Sequence, residues 1–261
     1  MRHLTMWLAP ALLLCGCSPA ADRRDESKTG DTTAAAAPAP AGPAAIVTVL
    51  YNPPKDTAAF EKYYSATHLP LLMANRNAIG FVRTDFTRFS STVDGKKPPF
   101  YRQAELYFKS MDDLKRGTAS AEFKKVAGDL ANFASGGVTA LIATASNSHG
   151  TGSSGEPAAI VTVIYKTPKD TAAFERYYAD THLPLLNQNK TEIGFDRAEF
   201  TKFDSNLDGS AASRYRQAEL YFPSMAALKK GTATAGFKKV AGDLSKFATG
   251  GFDALIGTET K

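Results

Sequence analysis

From Ala44 to its end the chain aligns with itself at a constant offset of 114 residues without a gap, His68 falling against His182. AAIVTVLY at 44–51 returns as AAIVTVIY at 158–165, and FEKYYSATHLPLL at 60–72 as FERYYADTHLPLL at 174–186. YRQAELYF at 101–108 recurs at 215–222, and FKKVAGDL at 123–130 recurs at 237–244. Two copies are too few to stack as a solenoid, and each is about 100 residues, the size of a complete domain. The chain is a tandem duplication, so a fold read for one copy applies to both.

Within a copy the pattern predicts strand, helix, strand, strand, helix, strand. AAIVTVLY is β-branched and apolar throughout. Asp56 can cap a helix whose Phe60, Tyr64 and either Thr67 or His68 share one face. Leu69 precedes Pro70, and proline disfavours helical geometry in the residue before it, so this helix is expected to break beside His68. FVRTDFTRF and YRQAELYF alternate as strands on either side of a turn at Asp94-Gly95. Ser110 can cap a second helix carrying Met111, Leu114, Phe123, Val126 and Leu130, weakened at Gly117, and Gly136-Gly137 opens a last strand, VTALIAT.

This βαββαβ order is a ferredoxin-like plait with its helices on one sheet face. In YRQAELYF, strand alternation turns Ala104, Leu106 and Phe108 toward the helices, and Tyr101, Gln103, Glu105 and Tyr107 to the other face. That second face is too large and aromatic to stand in water, and two such sheets would cover each other. The expected class is α+β, with two ferredoxin-like plaits paired sheet to sheet as an intrachain α/β barrel, a pseudo-dimer.

The chain starts MRHLTMWLAPALLLCGC, a basic start and an apolar run from Leu4 to Leu14. The run is well short of the roughly 20 residues that span a bilayer, and reads as a secretory signal. Leu14-Cys15-Gly16-Cys17 resembles the lipobox of bacterial lipoproteins, which implies cleavage before Cys17 and lipidation of its sulfur; an ordinary signal peptide with two cysteines is the plainer reading. Ser18 in place of Asp favours the outer membrane in that pattern. Residues 18–43, rich in Ala, Pro, Thr and charge, are poor in the large apolar groups that folding needs, and are expected to be a disordered tether. Domain one is assigned to 44–144, a flexible linker to 145–157 and domain two to 158–261. The linker holds Gly150-Thr-Gly152-Ser-Ser-Gly155, which matches a dinucleotide fingerprint in letters, but Pro157 and a strand follow where that motif needs a helix.

Several classes drop out. Both cysteines lie in the signal segment, which leaves no disulfide framework, thiolate metal site or cysteine nucleophile in the domains. One histidine per copy offers no metal-ligand spacing, and no P-loop, nucleophile elbow or zinc helix is present. A net charge of +5 with scattered lysine pairs is a poor nucleic-acid footprint.

The string Y-x-x-P-x-D-x-x-x-F-x-x-Y-Y-x-x-x-H-x-P-L from Tyr51 to Leu71, the Gly80-Phe81 strand start, YRQAELYF and the D-L-x-x-F helix end resemble the EthD family. The resemblance covers 44–144 and again 158–258. It implies the dimeric α/β barrel, built in single-domain members from two chains, and an activity of oxidoreductase or cofactor-free proton-transfer type. Fusing the two plaits makes their association intramolecular, with a high effective concentration; exchange of domains between chains stays open.

His68 and His182 are the candidate acid-base groups, with Tyr51, Tyr165, Tyr64 and Tyr178 as companions. The histidines can equally cap a helix end, and the tyrosines can equally be packing. Arg83, Arg197, Gln103, Gln217, Glu105 and Glu219 can anchor a polar ligand on the inward face, or pair with one another as structural ion pairs. The expected partner is a small, largely apolar carbonyl-bearing or quinone-like molecule, either turned over or merely bound. No cofactor, metal or nucleic acid is expected, and the membrane is met only through the lipid anchor on the periplasmic side. A haem binder is a third reading, poorly supported because the single tryptophan lies in the signal segment.

Overall fold

The computed structural model describes residues 45–149 and 158–260. The signal segment, the tether and the linker from 150 to 157, with its glycine motif, lie outside the described residues. Half one runs β1 (Ala45–Tyr51), α1 (Thr57–Tyr63), α2 (Leu69–Ala74), α3 (Arg76–Ile79), β2 (Arg83–Thr92), β3 (Arg102–Phe108), α4 (Met111–Ala119), α5 (Ala121–Asp129) and β4 (Val138–His149). Half two repeats this as β5 (Ala159–Tyr165), α6 (Thr171–Tyr177), α7 (Leu183–Gln188), α8 (Lys190–Ile193), β6 (Arg197–Asn206), β7 (Arg216–Phe222), α9 (Met225–Ala233), α10 (Ala235–Phe247) and β8 (Phe252–Glu259).

Each half is the predicted plait, and the two close into one eight-stranded antiparallel barrel in the order β1-β3-β2-β8-β5-β7-β6-β4, with β4 returning to β1. The halves meet along two seams, β2 on β8 and β4 on β6. Closure leaves neither sheet with a free edge, and so removes the unpaired strand groups that invite aggregation. β4 pairs with β6 as far as His149 against Ala198, so the first part of the stretch assigned to the linker is strand.

The helix carrying His68 does not break. Leu69 is helical at φ −62° and ψ −46°, and a π-helical turn over Tyr64–His68 carries α1 into α2. The Leu69 N–H reaches back to the Tyr64 carbonyl, a five-residue step. Pro70 has no N–H and its ring would crowd the carbonyl one regular turn back; the wider turn absorbs it, and such turns often sit at functional sites. Tyr178–His182 repeats the arrangement.

Alternation along the strands sorts the side chains into three apolar groups. Ala45, Val47, Tyr51, Ala104, Leu106 and Phe108 pack under the helices of half one, and their equivalents under those of half two. Ile46, Leu50, Phe89, Leu141, Ile164 and Phe203 fill part of the barrel interior. One expectation is corrected: Tyr101 belongs to the helix side, edge-on to Phe60 and donating its hydroxyl to Glu61 at 2.6 Å. It precedes the first residue of β3, so the strand's alternation does not govern it.

Gly117, expected to weaken its helix, has a positive role. A Cβ there would lie 2.2 Å from the Ile79 carbonyl oxygen and 2.8 Å from Phe108 Cε1, so glycine is what lets α4 lie against the end of α3. Gly231 is placed identically against Ile193 and Phe222.

Candidate active site

His182 sits at the end of the π-helical turn, 4% exposed, with Nδ1 3.0 Å from Asp243 Oδ2 on α10. Tyr177 donates its hydroxyl to the other oxygen of Asp243 at 2.9 Å, and Lys246 approaches that oxygen at 3.1 Å. The ring lies against Phe247 at 4.7 Å between centroids and against Tyr178 at 5.7 Å. Half one has the same arrangement: His68 Nδ1 is 2.9 Å from Asp129 Oδ2, Tyr63 donates to Asp129 at 2.8 Å, and Asn132 stands where Lys246 does. The sequence reading selected Tyr64 and Tyr178; the tyrosines that touch the dyad carboxylates are their neighbours, Tyr63 and Tyr177.

A carboxylate on Nδ1 holds that nitrogen protonated and leaves Nε2 as the basic site. Burial pulls the His182 pKa below its usual value, and the bond to Asp243 only partly opposes this. Burial also pushes the Asp243 carboxyl up, but hydrogen bonds from His182, Tyr177 and Lys246 outweigh it and leave the acid lowered. Both effects favour a neutral imidazole beside an ionised carboxylate at neutral pH, the protonation states that a general base with an orienting partner requires.

His182 lines a cavity of about 460 Å³ between the sheet of half two and its helices. The wall is apolar: Val161, Val163, Leu186, Leu220, Phe237 and Val240 face it, with Tyr165 as a second polar tip. Its mouth is made by the other half, through Thr92, Val93, Asp94 and Lys96 of the β2–β3 hairpin. Among the described residues Asp243 is the one hydrogen-bond partner of His182, which leaves Nε2 unbonded beside the cavity.

The predicted residues therefore divide between two places. His182, Tyr165 and Tyr178 gather under the helices, as do His68, Tyr51 and Tyr64 in half one. Tyr51 is buried in an aromatic cluster with Phe60, Tyr64 and Phe133. The hydroxyls of Tyr64 and Tyr178 are buried without a hydrogen-bond partner, and each ring lies beneath a guanidinium, Arg102 at 4.6 Å and Arg216 at 5.0 Å. These arginines fork onto Glu61 and Glu175 of the histidine-bearing helices, at 2.6 and 2.5 Å, and so tie those helices to the sheet.

Arg83, Arg197, Gln103, Gln217, Glu105 and Glu219 project from the opposite face of the same strands, away from either histidine, the glutamines and glutamates buried in the barrel interior and Arg83 partly exposed. Glu105 accepts from Thr48, Tyr107 and, across the barrel, Gln217 at 3.2 Å; Glu219 accepts from Thr162, Tyr221 and Gln103 at 3.0 Å. Arg83 pairs with Asp85 at 3.0 Å and Glu199 at 3.1 Å, and Arg197 with Glu199 at 2.5 Å. Ion pairing accounts for both arginines, which engage Asp85 and Glu199, whereas Glu105 and Glu219 are met by neutral donors. Burial, then the neighbouring carboxylates, push Glu219 up to about 7 and Glu105 well above the usual range.

Sequence reasoning missed Asp129 and Asp243. The repeated AGDL contains them, but an aspartate on a helix ordinarily reads as part of a solvated face. Only the packing of α5 and α10 onto the π-helical turns reveals their partner. Among the described residues no cluster of three or more His, Cys, Asp and Glu side chains fit to hold a metal ion is present.

Fold and site together define a class: an α/β barrel of two ferredoxin-like units, each with a His-Asp dyad beneath its helices. The EthD domain model matches residues 52–137 and again 166–251, and the chain belongs to the EthD family. An uncharacterized 11.0 kDa protein from the thcB-thcC intergenic region of Rhodococcus erythropolis is 42% identical over 95 residues, 36% of this chain and 88% of its own. The crystal structure of an anthrone oxidase-like protein superposes with a TM-score of 0.59 at 12% identity, covering 84% of this chain and 92% of that one. An EthD family protein from Bacillus halodurans is 25% identical, with a TM-score of 0.36, over 40% of this chain and 99% of its own.

Proposed function

We propose that the protein is a cofactor-free proton-transfer enzyme acting on a small, largely apolar carbonyl-bearing or quinone-like compound in the cavity beside His182. The observation that carries this reading is the unbonded Nε2 of a carboxylate-oriented, neutral histidine beside an apolar cavity. Apolar walls select a ligand by shape and exclude water, while one base and one phenol are enough to remove a proton next to a carbonyl and meet the oxygen on which charge develops. In this scheme His182 Nε2 takes the proton and Tyr165 donates to the enolate oxygen. The proton then returns to carbon, or the substrate gives up two electrons and two protons to dioxygen as co-substrate, which leaves as hydrogen peroxide. Arg83 and Arg197 take no part, because the sheet separates them from the cavity.

The test is turnover of a panel of cyclic ketones, hydroxynaphthalenes and naphthoquinones, followed by absorbance. His182→Gln and Asp243→Asn are each expected to lower kcat by about 10²- to 10⁴-fold, the usual contribution of a positioned base. Because the base must be neutral and its pKa is lowered by burial, the acid limb of kcat/KM should fall below the ordinary imidazole value of about 6.5. Saturable binding of panel members without turnover by the wild type would instead favour a binding protein, a reading that the apolar lining also supports.

The N-terminal motif places the protein, in this proposal, on the periplasmic side of the envelope as an outer-membrane lipoprotein. Cys17→Ser is expected to abolish the acyl mass and move the protein from the detergent to the aqueous phase on partitioning. An acylated Cys17→Ser variant would refute the assignment.

A further inference from the structure

The tip of the β2–β3 hairpin reads TVDGK, and its own bonds make it stiff. The Thr92 N–H bonds the Lys96 carbonyl at 2.9 Å and the Gly95 N–H bonds the Thr92 carbonyl at 3.0 Å, with Gly95 at φ 81° in the left-handed region that glycine adopts without strain. The Lys96 N–H also reaches the Thr92 hydroxyl at 2.8 Å. From this turn one bond crosses to the other half: the Val93 N–H donates to the Ala254 carbonyl of β8 at 2.9 Å. The Val93 side chain packs against the apolar core of half two. The exchange is mutual, since the Leu207 N–H donates to the Ala140 carbonyl at 2.9 Å and Leu207 packs against the core of half one.

Of the four hairpin residues that line the His182 cavity, three have their polar groups engaged by the hairpin itself. Asp94 and Lys96 pair with each other at 2.7 Å and stand in solvent, and the Thr92 hydroxyl holds the turn. Val93 is the hairpin's one apolar side chain in the lining, beside Phe252 and Ala254 of β8. The backbone beneath it is tied within the turn and again at Ala254. A change in the length of this side chain is therefore taken up by the space in the cavity, because a held backbone in a close-packed setting has little freedom to move aside.

We propose that Val93 of half one is a specificity-determining residue of the His182 site, and that its side chain sets the girth of the apolar molecule that reaches Nε2. The ligand class this favours is slender or planar, entering end-on past Val93 with its reacting carbonyl foremost. The His182 site is then complete only in the closed barrel: half two brings the base and the walls, and half one brings the residue that measures the ligand. The role in turnover rests on the reading of the His182 cavity as the working site; control of access to the histidine does not depend on any substrate.

Two acylating reagents of different bulk, diethyl and dibenzyl pyrocarbonate, test this on the full mature chain without a known ligand. Both react with a neutral imidazole nitrogen, and the rates are read by mass on the proteolytic peptides holding His68 and His182. The ratio of the two rates at one histidine cancels its protonation state and its nucleophilicity, so a change of ratio between variants reports access. In a fitted apolar pocket one methylene shifts discrimination by about tenfold. Val93→Leu copies the residue of the other hairpin, and is expected to lower the dibenzyl-to-diethyl ratio at His182 by about tenfold. Val93→Ala should raise that ratio. The His68 ratio, read in the same samples, should stay as in the wild type and is the folding control. A His182 ratio unchanged in both variants, or a His68 ratio that shifts as far as that of His182, overturns the proposal. A His182 ratio that follows Val93 in a protein without turnover would sink the catalytic reading alone.

Discussion

Gly231→Ala is expected to destabilise the protein by about 3 kcal/mol, the upper end of the usual cost of overpacking. Helix propensity argues the other way, since alanine is favoured over glycine in a helix interior by about 1 kcal/mol. Sterics decide the sign. The new methyl would lie 2.2 Å from the Ile193 carbonyl oxygen and 2.8 Å from Phe222 Cε1, and the first of these is backbone, which cannot swing aside as a flexible side chain does. To relieve it α9 must lift from α8, disturbing the packing of Leu228, which is fully buried. Gly117→Ala should behave alike, against Ile79 and Phe108. Gly242→Ala in α10 is the control: nothing lies within 4 Å of its Cβ position, so propensity acts alone and the variant should gain up to about 1 kcal/mol. Urea unfolding midpoints separate the two outcomes, and equal midpoints for Gly231→Ala and wild type would refute the close approach.

Glu219→Gln is expected to stabilise the protein at pH 8 and to leave it nearly unchanged at pH 5. Glu219 is buried in the barrel interior facing Asp85, Glu199 and Glu105, with the nearest cations, Arg83 and Arg197, engaged by Asp85 and Glu199. Its pKa is pushed up to about 7 in the folded state, against roughly 4.3 in an unfolded chain. Between those values the native state binds more protons than the unfolded state, so stability falls as pH rises through this window. The loss is on the order of 3 kcal/mol for this one group. Gln keeps the shape and carries no charge: its carbonyl can accept from Gln103 and Thr162, and its NH2 can donate to the Tyr221 hydroxyl, which turns to accept. Glu105→Gln should act in the same direction. Stability of the wild type is therefore expected to peak in mild acid; below about pH 4 it declines, because Glu61, Glu175, Asp129 and Asp243 have lowered pKa values and lose their bonds on protonation. Chemical denaturation at pH 5 and pH 8 checks this, and a wild type more stable at pH 8 than at pH 5 would contradict it.

Much of the architecture was legible in the chain because local chemistry dictates it. The capping residues Asp56, Ser110 and their repeats were read correctly. So was the turn at Asp94-Gly95, where Gly95 has φ 81°, and so was the alternation that turns Ala104, Leu106 and Phe108 to the helices. Where the reading of Pro70 failed, it did so because a rule about one residue's dihedral preference was outweighed by packing. Burying Tyr64, His68 and Leu72 on one continuous helix is compatible with a single widened turn.

The sequence by itself determined the duplication, the βαββαβ order of each copy, the face that Ala104, Leu106 and Phe108 turn to the helices and the histidine as the candidate base, since all of these follow from periodicity and residue type along a local stretch of chain. Only the tertiary structure decided that Asp243 is the partner of His182, that the arginine and glutamate set lies across the sheet from it, and that the hairpin of one half lines the cavity of the other. Each of these depends on which elements lie against one another across long separations in the chain. Those contacts exist only once the barrel has closed.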